Sequence, residues 1–131
     1  PPCTTFSSAA WPPVRSYKRP RGFNPRNPKT LLGNVLALRC LLIFFVCNRQ
    51  GVPCAIEQPR LSKMAWLKAW RYFLAELRRG GASETWTASC AFWRREDGRP
   101  LHRKEFRFLH CHLPTFEKQV QRACPAGTTC T

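Results

Sequence analysis

The chain has 131 residues, room for one domain with a modest core and too few for two. Hydrophobic residues at 44% and aromatics at 12% exclude a wholly disordered chain. With 22 Lys and Arg against 7 Asp and Glu, the net charge of +15 points to a polyanionic partner such as RNA or anionic lipid.

The charge is also unevenly placed. No acid precedes Glu57, whereas Arg15, Lys18, Arg19, Arg21, Arg26, Lys29, Arg39 and Arg49 all do. Such a run repels itself unless phosphates or anionic headgroups neutralise it. Within residues 1–30 the proline density opposes both helix and central strand, which predicts an extended basic arm. Trp11, Tyr17 and Phe23 are interleaved with its cations, a mixture suited to stacking on bases while holding phosphates. The expected RNA-binding residues are therefore Arg15, Tyr17, Lys18, Arg19, Arg21, Phe23, Arg26 and Lys29. Rich in Arg, Ser and Pro and empty of acid, residues 1–30 also have the character of an organellar transit sequence or the mature tail left by one, so the expected location is the mitochondrion.

Residues 31–124 are expected to form a single α/β domain, followed by a flexible tail over 125–131. The apolar run 30–47 has two readings. Arg39 at its centre makes a membrane span costly, so 40–47 is predicted as a buried central strand carrying Ile43, Phe44, Phe45 and Val46. The alternative keeps 30–47 as a membrane segment. After the breakers from Asn48 to Pro53, the spacing of Trp66, Trp70, Phe73 and Leu77 predicts a core helix over about 60–79, widened by Met64, Leu67 and Leu74 and stopped by Gly80-Gly81. Its tryptophans are expected to pack, and Lys63, Lys68, Arg71 and Arg78 to lie off the stripe. Next come two strands. In the first, Trp86, Ala88, Cys90 and Phe92 share one face and Thr85, Thr87 and Ser89 the other; the second runs from about Leu101 to Cys111. Asp97-Gly98 between them signals a tight turn. A last helix starts at Pro114-Thr115 and ends at Cys124-Pro125. The strand–helix–strand unit is expected to be a right-handed crossover with parallel strands.

No catalytic constellation is visible. The acids are scattered, Gly80-Gly81 follows a helix instead of opening one, and no cysteine has a nucleophile signature around it. His110-Cys111-His112 could hold zinc only if Cys90 and Cys124 converged on it, so no metal or other cofactor is expected. The 8 cysteines form no CxxC pair and are expected to be mostly reduced core residues, with a Cys124–Cys130 bridge as the exception their spacing permits.

Four stretches carry a resemblance: the strand ending Phe44-Phe45-Val46-Cys47, the helix at 60–79, the link Arg94-Arg95-Glu96-Asp97-Gly98-Arg99-Pro100, and Leu113-Pro114-Thr115-Phe116-Glu117. Over about residues 36–124 the strand–helix–strand–strand–helix order resembles the shortened thioredoxin-like domains of some mitochondrial ribosomal large-subunit proteins, and of a related accessory subunit of respiratory complex I. It departs from the redox members by lacking CxxC. The resemblance implies a non-catalytic structural component of an organellar ribosome, with rRNA and neighbouring ribosomal proteins as partners. The alternative it leaves is an accessory subunit of a mitochondrial inner-membrane respiratory complex.

Overall fold

A computed structural model describes residues 5–7, 11–88 and 105–121. The main elements are helix α1 (Pro28–Arg49), strand β1 (Cys54–Pro59), a 3-10 turn (Lys63–Trp66), helix α2 (Lys68–Arg79), strands β2 (Ser83–Ala88) and β3 (Glu105–Cys111), and helix α3 (Phe116–Val120). The fold is mixed α/β, built on an antiparallel sheet of order β1-β3-β2. From β1 to α3 the strand–helix–strand–strand–helix order holds, but its first strand is 54–59 and not 40–47.

The run 30–47, expected as a strand, belongs to α1. Asn27 accepts hydrogen bonds from the backbone N–H groups of Lys29 and Thr30, and Pro28 sits where a missing N–H costs nothing. Periodicity hid the helix because it is apolar nearly all round. Thr30, Gly33, Ala37, Leu41, Phe44 and Asn48 form its buried stripe, while the other side is equally apolar. By length and composition it could cross a membrane.

The predicted helix over 60–79 is broken in two. Ser62 caps the 3-10 turn by accepting from the Met64 N–H, and Leu67 is extended, with ψ 134°, before α2 begins. That kink takes Trp66 off the stripe and leaves it 53% exposed, whereas Trp70 and Leu77 are fully buried. Lys63, expected outside, is buried and donates from Nζ to the Ser7 carbonyl. Lys68, Arg71 and Arg78 are exposed as their spacing implied.

Neither β1 nor β2 is the other's neighbour. Both pair antiparallel with β3, with Ile56 and Glu84 each opposite Leu109. They therefore run parallel to each other with β3 between them, a split β-α-β unit in place of the expected adjacent parallel pair. Ile56, Leu109 and Cys111 join Leu41, Phe44, Met64, Leu67, Trp70 and Leu77 in one core between this face and the helices. Opposite-face residues meet α3, where the Phe116 ring lies edge-on to Phe108, with centroids 5.4 Å apart. Thr85 is accordingly buried, and Trp86, on the helix side but at the sheet's margin, is partly exposed. Sequence alternation separated Trp86 and Ala88 from Thr85 and Thr87 as the two faces, and packing covers both of them in part. The Asp97-Gly98 turn, Pro100, Cys90, Phe92, the Cys124–Cys130 pair and the 125–131 tail lie outside the described residues.

The N-terminal segment is not a free extended arm over its described residues. Phe6 is a core residue, its carbonyl accepts from the Lys63 N–H at 2.9 Å, and the Phe23 N–H donates to the Val14 carbonyl at 3.0 Å. Arg15 ties it to α1. Its Nη1 donates to the Asn34 Oδ1 (2.6 Å) and the Pro20 carbonyl (2.8 Å), and its Nη2 to the Thr30 carbonyl (2.9 Å) and Thr5 Oγ1 (3.0 Å). The guanidinium also lies over the Phe6 ring, 3.8 Å from its centroid. Gly33 leaves the room for this, because a Cβ there would stand 2.7 Å from Arg15 Nη2.

Candidate nucleic-acid interface

Docking of residues 11–27 brings Tyr17 against the 3-10 turn. Its hydroxyl donates to the Leu61 carbonyl at 3.3 Å, and its ring meets Trp66 edge-on, with centroids 5.6 Å apart. Across the sheet, register places Trp86 opposite Arg107. The Arg107 guanidinium sits 4.2 Å from the Trp86 ring centroid, and that of Arg60 sits 5.4 Å from it. These groups surround a surface cleft of about 500 Å³ lined by Tyr17, Arg60, Leu61, Trp66, Trp86 and Arg107 together with Ser62 and Ala65. Trp66 and Trp86 remain 53% and 38% exposed there.

Two acids hold the cleft's cations in place. Arg60 Nη1 is 2.7 Å from Glu105 Oε2. Arg107 Nε is 3.6 Å from Glu84 Oε1, while Glu84 Oε2 takes Arg78 Nη2 at 2.6 Å. Burial lowers the Arg107 pKa, and Glu84 opposes that shift. Arg107 is thus a desolvated cation with spare donors beside an aromatic face, the type of group that binds a phosphate or stacks on a base.

Of the sequence-predicted residues, Tyr17 alone is among those lining this cleft, and Arg21 lines a separate cavity beside α1. Lys18, Arg19, Arg21, Arg26 and Lys29 are exposed, as is Phe23. Arg15 is the correction. It is 1% exposed, both its Nη atoms donate to protein oxygens, and burial lowers its pKa to about 10, so it is a charged internal tie and not a phosphate contact. Sequence reasoning missed Arg60, Trp66, Trp86 and Arg107. The Ser62 cap was the one local signal, since a turn starting there removes Trp66 from the helix stripe. The Trp86–Arg107 juxtaposition has no local signal.

Comparison with known protein families, curated proteins and solved structures finds no match.

The His110-Cys111-His112 cluster does not converge. His110 Nε2 is 2.9 Å from Thr85 Oγ1 beneath α3, whereas His112, at φ 53°, places Nε2 2.9 Å from the Asn48 carbonyl at the end of α1. Cys40, Cys47, Cys54 and Cys111 are free thiols. Burial and a hydrogen bond with Cys47 push the Cys54 thiol up to about 11, and burial raises Cys111 as well. Both are poor nucleophiles at neutral pH.

His110 also supplies a pH expectation. Burial lowers its pKa below the ordinary 6.5, against a smaller opposing pull from Glu117. The unfolded chain then binds the proton first. The stabilisation is full above about 6.5 and is lost as pH falls from there towards the lowered folded value. The thermal midpoint should fall between about pH 7.5 and about pH 5.5, and His110→Gln should shrink that difference.

Proposed function

We propose that this chain is a non-catalytic RNA-binding protein that grips a single-stranded stretch of structural RNA in the aromatic–arginine cleft. The observation that carries the reading is the convergence of Tyr17, Trp66 and Trp86 with Arg60 and Arg107 around one open cleft. Large indole faces left in water are costly, and a row of π-faces alternating with guanidinium groups matches the two recurring parts of a nucleic acid strand. Lys18, Arg19, Arg21, Arg26 and Lys29, on the segment that enters the cleft through Tyr17, would follow the phosphates. A structural role in an organellar ribosome, and with it the thioredoxin-like affinity of the β1-to-α3 unit, is the more specific form of the proposal. It rests on the sequence resemblance and the acid-free N-terminal region.

Binding of a fluorescent single-stranded oligoribonucleotide is the test. If five cations engage phosphates, affinity should drop about a hundredfold between 50 and 200 mM salt. Trp66→Ala with Trp86→Ala should weaken binding at least roughly tenfold at constant salt while the fold, read by circular dichroism, is kept. Equal affinity for wild type and the double variant would sink the cleft as the site. Sedimentation with the ribosome in organelle lysates, and cross-links from Arg19, Arg21 and Arg26 to rRNA, test the particle.

A further inference from the structure

The cleft leaves a second surface unaccounted for, the outer side of α1. Leu31, Leu32, Leu42, Ile43 and Val46 are all at least half exposed there. From Leu31 to Val46, at 1.5 Å per residue, the helix displays an apolar strip about 24 Å long interrupted by Arg39, more than a soluble monomer leaves uncovered without reason. Its opposite side is occupied, since Gly33, Ala37, Leu41 and Phe44 pack on the rest of the protein. Lipid can therefore reach one side of α1 only, which suits a helix lying along a membrane surface and not one crossing it.

The charges around the strip say what covers it. Exposed Arg26 and Lys29 stand at its start, Arg39 lies on the exposed arc, and Arg49 ends it. No acid occurs in α1 or anywhere before Glu57. A second copy would bring two such cationic rims together in a chain of net charge +15. An anionic bilayer has the complementary arrangement, an apolar interior under a negative surface. At the flank of the strip, a cavity of about 270 Å³ is lined by Leu38, Leu67 and Ala69 together with Asn34, Arg21 and Lys68. Two exposed cations over apolar walls fit a lipid phosphate with the first part of its acyl chain below.

We propose that the outer side of α1 docks on an anionic lipid bilayer, lying in its surface, with one lipid headgroup phosphate held between Arg21 and Lys68. Arg21 is shared with the proposed phosphate track of the RNA, whereas Trp66 and Trp86 of the cleft play no part in this contact.

Flotation of the full chain with vesicles tests it. The chain should float with vesicles of phosphatidylcholine plus phosphatidylglycerol and stay behind with phosphatidylcholine alone. Leu42→Ser with Ile43→Ser should lower vesicle binding at least roughly tenfold and leave oligonucleotide binding unchanged, because both side chains are exposed and neither lines the cleft. Arg21→Gln with Lys68→Gln should lower it roughly thirtyfold, the loss expected from two surface cations. Trp66→Ala with Trp86→Ala should bind vesicles normally, which separates failure here from failure of the RNA reading. The proposal is overturned if Leu42→Ser with Ile43→Ser floats as well as wild type, since charge alone then explains the binding. It is also overturned if the wild type never floats, if it resists carbonate extraction as a spanning protein does, or if these serines instead dissolve a dimer.

Discussion

Trp70→Ala is expected to abolish the folded state, while Arg71→Glu, one residue along the same helix, leaves it intact. Trp70 has no exposed surface and lies in the core with Leu41 and Phe44 of α1, Ile56 of β1 and Leu109 of β3. It is the largest side chain joining both helices to the sheet. Truncation of such an aromatic costs about 3–5 kcal/mol, close to the whole stability of a small domain. Arg71 is exposed and takes no part in that cluster. Soluble folded yield and the urea midpoint of the two variants make the comparison. Trp70→Phe refines it. The indole Nε1 is buried without a hydrogen-bond partner, so Phe removes an unpaired donor while keeping much of the ring, and should retain a cooperative transition. A folded Trp70→Ala beside an unfolded Arg71→Glu would mean that α2 is turned the other way.

The second large effect is expected at Arg15, and it separates structure from binding within one basic segment. Arg15→Ala should cost about 2–4 kcal/mol, from charge-assisted hydrogen bonds to four oxygens lost together with packing on Phe6. Lys should rescue little, because a single ammonium cannot span acceptors that the planar fork reaches from both Nη atoms. Loss of the tie releases the segment that carries Tyr17. Trypsin should then cut after Lys18 or Arg21 well before the core is digested, and RNA affinity should fall as a consequence of the lost cleft wall. Arg19→Ala is the contrast, since that side chain is exposed: thermal midpoint unchanged, affinity reduced, salt dependence shallower by about one unit of slope. If Arg15→Ala behaves like Arg19→Ala, the tie does not hold the segment in solution.

What could be read locally was read correctly where one pattern dominated. The stripe Trp70, Phe73 and Leu77 with its glycine stop placed α2, because residues four and seven apart share a helix face whatever surrounds them. The strand expected over about Leu101 to Cys111 likewise contains β3, whose described part is Glu105–Cys111. The acid-free basic stretch before Glu57 was equally plain, being a property of composition alone. The 28–49 helix was illegible as a period because both its sides are apolar, one for the core and one left open. Arg15 and Arg19 are the same residue type in the same segment. Only the fold decides that one finds Asn34, Thr30 and Phe6 around it while the other meets water.

The cleft belongs wholly to tertiary structure. Tyr17, Arg60, Trp66, Trp86 and Arg107 come from separate stretches of chain. They meet because β3 inserts between β1 and β2, because Leu67 breaks the helix before Trp66 can turn inward, and because Arg15 pins Tyr17's segment to α1. Side-chain types and charge are properties of the sequence. Which aromatic is buried and which is offered to a partner is set by strand register and a single kink, and those are resolved only by long-range packing.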